Sequence, residues 1–117
     1  PEELENRLIN FSVIIIDISG SLKKNNAGKH LSGQIVRSGT SPALNYGEAR
    51  SAESRKDFVH KVKIILKELR ETLICLKLIK QANLYLSDPI ILNKVLTECN
   101  ELISIFVVSS KTAQNKL

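Results

Sequence analysis

Residues 54–80 read SRKDFVHKVKIILKELRETLICLKLIK, and the pattern in this stretch decides the fold class. Phe58, Val62, Ile65, Leu66, Leu69, Leu73 and Leu76 recur mainly at steps of three and four. That spacing stacks them along one side of an α-helix and fits no strand. The helix opens on a capping signal, because Ser54 followed by Asp57 has the form of a capping box with the shorter Asp in place of Glu. The stripe carries the helix to about residue 80.

The segments on either side follow the same rule. Downstream, Ser87-Asp88-Pro89 predicts a helix start with Asp88 as N-cap and Pro89 at the first helical position. Leu92, Val95, Leu96, Cys99, Leu102, Ile103 and Phe106 form the inner face of this fourth helix. Residues after about 112 lack apolar anchors and are expected to fray. Upstream, Leu4, Leu8, Phe11, Ile15, Ile18 and Leu22 repeat at 4, 3, 4, 3 and 4, a heptad-like seam that predicts a first helix over about 3 to 24. The β-branched run Val13 to Ile16 could make a strand, but strict alternation is missing. The early glutamates suit a helix N-terminus, and the stretch from Lys23 to Gly28 reads as helix end and loop.

The remaining helix, about 29 to 50, carries an unusual face. Gln34, Arg37, Ser41, Asn45 and Glu48 are spaced 3, 4, 4 and 3, which aligns five polar side chains where apolar spacing is the norm. Such a seam faces a buried network, a partner subunit or a ligand. In the structural reading, Arg37 and Glu48 pair with groups on the third helix such as Glu68 or Glu71. Pro42 lies inside this helix, so a kink near Ser38-Gly39 is expected, with a true break as the alternative; Asn45 is placed to cap the kink. Four helices joined by short loops predict one all-α domain over residues 1–117, an up-down antiparallel four-helix bundle.

The composition fits. At 117 residues, with 43% apolar and 25% charged residues, the chain is ordinary for a globular domain, and the absence of Trp with only two Tyr argues against a β-sandwich. A net charge of +5 favours acidic partners, either nucleic acid or an anionic surface. The longest apolar stretch, Leu8 to Ile18, is broken by Asn10, Ser12 and Asp17 and is too short to span a bilayer. The acidic start lacks the basic character of a signal peptide, and two cysteines suggest a reducing compartment. A cytoplasmic protein is expected, with no membrane partner and with the sequon Asn10-Phe11-Ser12 without consequence.

One further face carries charge. Lys56, His60, Lys63, Lys67 and Arg70, spaced 4, 3, 4 and 3, lie opposite the apolar stripe of the third helix. Such a ridge can follow a phosphate backbone through counterion release, or it can simply be a solvated face. Few aromatic residues are present to stack on bases, so any nucleic-acid contact would be electrostatic and shape-driven.

Other chemistry finds little support. Cys75 and Cys99 fall on inner faces, where thiols pack as small hydrophobes. With His30 and His60 they lack the number and spacing of a metal site, so no metal is predicted. Gly28-x4-Gly33 imitates half of a phosphate loop, but Gln34 stands where Lys is required and no strand precedes it. No catalytic residues, cofactor or small-molecule substrate are predicted.

Taken together, Gln34-Ile35-Val36-Arg37-Ser38-Gly39-Thr40-Ser41, Asn45-x-x-Glu48-Ala49, Ser54-x-x-Asp57-Phe58 and Leu66-Lys67-Glu68-Leu69-Arg70-Glu71-Thr72 carry a likeness. From about Phe11 to Thr112 the chain resembles the bacterial four helix bundle protein family, of the ribosomal RNA intervening-sequence protein type. The resemblance implies a four-helix protomer in a homo-oligomer, usually a pentameric ring, with no enzymatic activity and an association with ribosomal RNA. A related bundle is the accessory protein of diversity-generating retroelements, which binds a reverse transcriptase and nucleic acid. Pro42 and Tyr46 depart from many relatives, where smaller or aliphatic residues are frequent.

Two functional expectations follow. The first is an oligomeric, non-enzymatic bundle that binds RNA or a ribonucleoprotein through basic helix faces. The second is an assembly or adaptor module that recruits a protein such as a reverse transcriptase without touching nucleic acid. Self-association is expected from an excess of apolar residues: eight of the eleven from Leu8 to Ile18 are apolar, more than one bundle face uses. Ile9, Val13 and Ile16, with Ile64, Ile74 and Leu78 on the third helix, need a second surface.

Overall fold

The computed structural model describes residues 1–117 as four helices, α1 (Glu2–Ser19), α2 (Asn26–Arg50), α3 (Arg55–Gln81) and α4 (Pro89–Asn115). Each packs on its neighbours around a square: α1 on α2 and α4, α3 on α2 and α4, with α1 and α3 on one diagonal and α2 and α4 on the other. The bundle measures 46 × 23 × 20 Å.

The expected stripes meet in one core. Leu8, Phe11, Ile15 and Ile18 of α1 join Ile35 and Tyr46 of α2, Val62, Ile65, Leu69 and Leu76 of α3, and Val95, Leu102 and Phe106 of α4. Phe58, Leu66, Leu73, Leu96 and Ile103 flank it, partly buried. The two departures from the family pattern both lie inside: Pro42 is buried, and Tyr46 meets Phe106 edge-on at 5.7 Å between ring centroids.

Three boundaries differ from the sequence reading. The first helix stops at Ser19, not near 24, because the next residues are used elsewhere. Lys23 N–H donates to Leu84 O and Leu86 N–H donates to Ser21 O, which ties the α1–α2 connection to the α3–α4 connection. Leu22 still reaches the core, from this bridge with Tyr85 and not from a helix. The second helix starts earlier, at Asn26, because the Asn25 side chain accepts a hydrogen bond from Gly28 N–H. It then passes through Pro42 without a break. The last helix continues to Asn115, held by the buried Ser110 and Ala113.

The caps at Ser54 and Asp88 form as expected, accepting from Asp57 N–H and Ile90 N–H. No helix is long and apolar enough to cross a membrane.

Candidate nucleic-acid interface

The core stripe of α3 fixes the direction of its other side. At 100° per residue, Lys56, His60, Lys63, Lys67 and Arg70 fall within about 80° of one another on the face turned away from the core. All five are exposed. The bundle's ion pairs draw on Arg7, Arg37, Arg50 and Lys61, so the four Lys and Arg of this ridge stand free of intrachain carboxylates. From Lys56 to Arg70 the ridge runs about 21 Å at 1.5 Å per residue. Beyond Arg70 the same face changes character, passing to the exposed Ile74 and Leu78.

The polar row of α2 divides into parts. Arg37 reaches across to α3, where Nη1 donates to Glu68 at 2.9 Å and Nη2 donates to Glu71. The Glu68 side chain is only 9% exposed, whereas that of Arg37 is 52% exposed, so a nearly buried carboxylate is neutralised by a cation that stays half in water. Glu48 does not join this pair; its partner is Lys61, at 2.8 Å, since Glu68 and Glu71 carry its own sign. Asn45 does not cap the proline turn but donates to Ser41 O and Ser41 Oγ one turn back. Gln34 stands exposed at the end of the row. Two of the five, Arg37 and Glu48, therefore fasten α2 to α3, while Ser41 and Asn45 bond within α2.

Beside it lie contacts that the sequence reading passed over. Ser38 and Thr72 share a hydrogen bond of 2.9 Å with both side chains wholly buried. Ser12 Oγ, on α1, donates to Leu8 O at 2.9 Å and lies 3.3 Å from Gly39 O. Their only signal is phase: Ser38 repeats with Ile35, Pro42 and Tyr46, and Thr72 with Ile65, Leu69 and Leu76. Polar residues at core phase mark such contacts.

Between α1 and α4 a groove of 510 Å³ opens, floored by Phe11 and Val95 and walled by Ile14 and Ile91, with Asp17 and Lys94 at its rim. Arg7 and Glu98, paired at 2.6 Å, join the same two helices.

Cys75 and Cys99 are free and buried. Burial raises both thiol pKa values, that of Cys99 to about 12 with a smaller push from Glu98. His30 and His60 are exposed, and no three His, Cys, Asp or Glu side chains converge as a ligand set. Gly28 serves sterics, since a Cβ there would lie 1.7 Å from Lys23 O.

These features define a class, an all-α four-helix bundle fastened by cross-helix polar pairs, with an open cationic ridge on α3. The chain belongs to the 23S rRNA-intervening sequence protein family, whose profile matches residues 3–107. Among solved structures it is similar to a protein of unknown function from the S23 ribosomal protein family of Bacteroides thetaiotaomicron VPI-5482. The two are 29% identical with a TM-score of 0.80, over 92% of this chain and 98% of that one. No curated protein matches the chain. Neither description names a reaction.

Proposed function

We propose that the chain is a non-enzymatic, self-associating, cytoplasmic bundle protein that binds structured RNA, or a ribonucleoprotein, through the basic face of α3. The observation that carries this reading is the line Lys56, His60, Lys63, Lys67 and Arg70, exposed together with its Lys and Arg side chains unspent on intrachain carboxylates. Its length of about 21 Å spans several successive phosphates. Repetition of the ridge around an oligomer, the five-membered ring of the family resemblance, would sum weak contacts through avidity. Binding of this kind weakens steeply with salt and shows little sequence preference.

A titration of structured RNA at two salt concentrations tests it, with Lys63→Glu/Lys67→Glu as the comparison. The parent should bind at low salt and the double variant should not, while both keep the same helical signal. Equal affinity of the two, or no binding by the parent at low salt, defeats the reading. The α1–α4 groove favours the second reading, an adaptor whose apolar cleft takes a segment of a protein partner such as a reverse transcriptase. That reading predicts a protein partner whose co-purification survives nuclease treatment.

A further inference from the structure

We infer that the groove between α1 and α4 binds an amphipathic helix of a partner protein. That helix lays an apolar stripe on Ile14 and Ile91, a basic residue against Asp17 and an acidic one against Lys94. This deepens the adaptor reading given above and rests on it.

The seam is open where the others are closed. α1 and α4 touch less than any other neighbouring pair of helices. Phe11 and Val95 are buried and belong to the core, whereas Ile14 and Ile91 on the two walls are 37% and 41% exposed. A helix laid along two others covers such a row by setting its own side chains into the furrow between them.

The groove has the length of a short helix. From Asn10 to Ser21 it runs about 16 Å at 1.5 Å per residue, about three turns. Ser21, Tyr85 and Ser87 close one end, where Leu86 N–H donates to Ser21 O. The pair of Arg7 with Glu98 marks the other end. Three turns present apolar side chains at i, i+3 or i+4, and i+7, which is the helix-in-groove pattern.

Charge selects the occupant. Asp17 lies three residues from Ile14 toward the Tyr85 end, and Lys94 lies three residues from Ile91 toward the Glu98 end. Both are exposed, and the ion pairs of the bundle use neither. An anion on one wall and a cation on the other therefore stand on a diagonal across an apolar centre. A helix with one basic and one acidic residue on opposite edges of its apolar stripe satisfies both. A purely apolar ligand leaves both charges unmatched, and a phosphate backbone meets Asp17 as a like charge. Ile9, Val13 and Ile16 point about 110° away around α1, so the groove is distinct from the apolar face left for self-association.

The test selects helix-forming peptides about four turns long from a phage-displayed library against the full chain. Enriched peptides should carry apolar residues at i, i+3 or i+4, and i+7, with a basic and an acidic residue on opposite edges. Ile14→Glu/Ile91→Glu should weaken a selected peptide by about tenfold or more in fluorescence polarisation, as loss of a central anchor does. Selection against Asp17→Lys/Lys94→Asp should return the same apolar spacing with the edge charges exchanged. No enrichment, peptides without that spacing, unchanged affinity for the wall variant, or unexchanged edge charges overturns the inference. The adaptor reading has a separate readout, nuclease-resistant co-purification of a protein with the parent. Absence of such a protein defeats that reading and the inference with it, whereas a partner held equally by Ile14→Glu/Ile91→Glu overturns the inference alone. Circular dichroism first checks that each variant is folded, and Ile91→Glu alone replaces the double wall variant if that one is not.

Discussion

Ser38 of α2 and Thr72 of α3 hydrogen-bond to each other at 2.9 Å at the centre of the bundle, and neither side chain reaches solvent. Thr72 Oγ1 also lies 2.8 Å from Glu68 O, so the two hydroxyls and one carbonyl form a closed polar cluster inside an apolar core. A cluster of this kind adds little net stability when complete and costs much when broken. Thr72→Val should lower unfolding free energy by about 1–3 kcal/mol, because the Ser38 hydroxyl is left buried without its partner. The double variant Ser38→Ala/Thr72→Val should recover part of that loss. Urea denaturation of the parent, both single variants and the double variant measures the coupling.

Glycines of α2 divide by what surrounds them. A Cβ at position 39 would lie 2.6 Å from Ile15 Cγ2, so Gly39 is what lets α1 approach α2. Gly39→Ala should destabilise by about 1–3 kcal/mol through overpacking. A Cβ at position 33 or 47 meets nothing within 4 Å. Gly33→Ala and Gly47→Ala should each raise stability, by roughly 1 kcal/mol, the helix-propensity difference between the two residues. The opposite signs are read from urea midpoints.

Arg37 is the sole cation against Glu68, yet its own side chain is half exposed. Truncating a fully buried ion pair costs about 3–5 kcal/mol, but water reaching the guanidinium screens this one. Arg37→Ala should therefore cost about 1–2 kcal/mol, and Glu68→Gln in the Arg37→Ala background should return some of it by removing the stranded charge. Thermal melts of the three proteins check the order.

Cys75 and Cys99 should resist thiol reagents in the folded protein and react fully once it is unfolded, because reactivity follows the thiolate. Stability should also depend on alkaline pH. The unfolded Cys99 thiol loses its proton near 9.0, whereas burial pushes the folded one up to about 12. The folded state therefore holds the extra proton between these values. The contribution is fully present below about 9 and falls as pH rises toward 12. Cys99→Ala, compared with the parent by denaturation at pH 7 and pH 10, should show a smaller alkaline loss.

Four helices, their order and most core positions were legible in the chain because apolar residues at 3.6-residue phase have one low-energy arrangement. The caps at Ser54 and Asp88 were legible for the same local reason, as one side chain satisfies a backbone N–H a few residues away. The basic face of α3 was legible too, since the direction opposite a core stripe is fixed by helical geometry alone. Tertiary structure decided what depends on a second segment. Only the pairing of the two end connections, Lys23 with Leu84 and Ser21 with Leu86, ends α1 at Ser19 while keeping Leu22 buried. Only packing makes Arg37 the partner of Glu68 and Glu48 the partner of Lys61, because spacing along α2 gives a direction and not the residue that waits there. The contact of Ser38 with Thr72 and the approach of Gly39 to Ile15 belong to the same group. Periodicity is a property of one helix, whereas a partner across a crossing is a property of two.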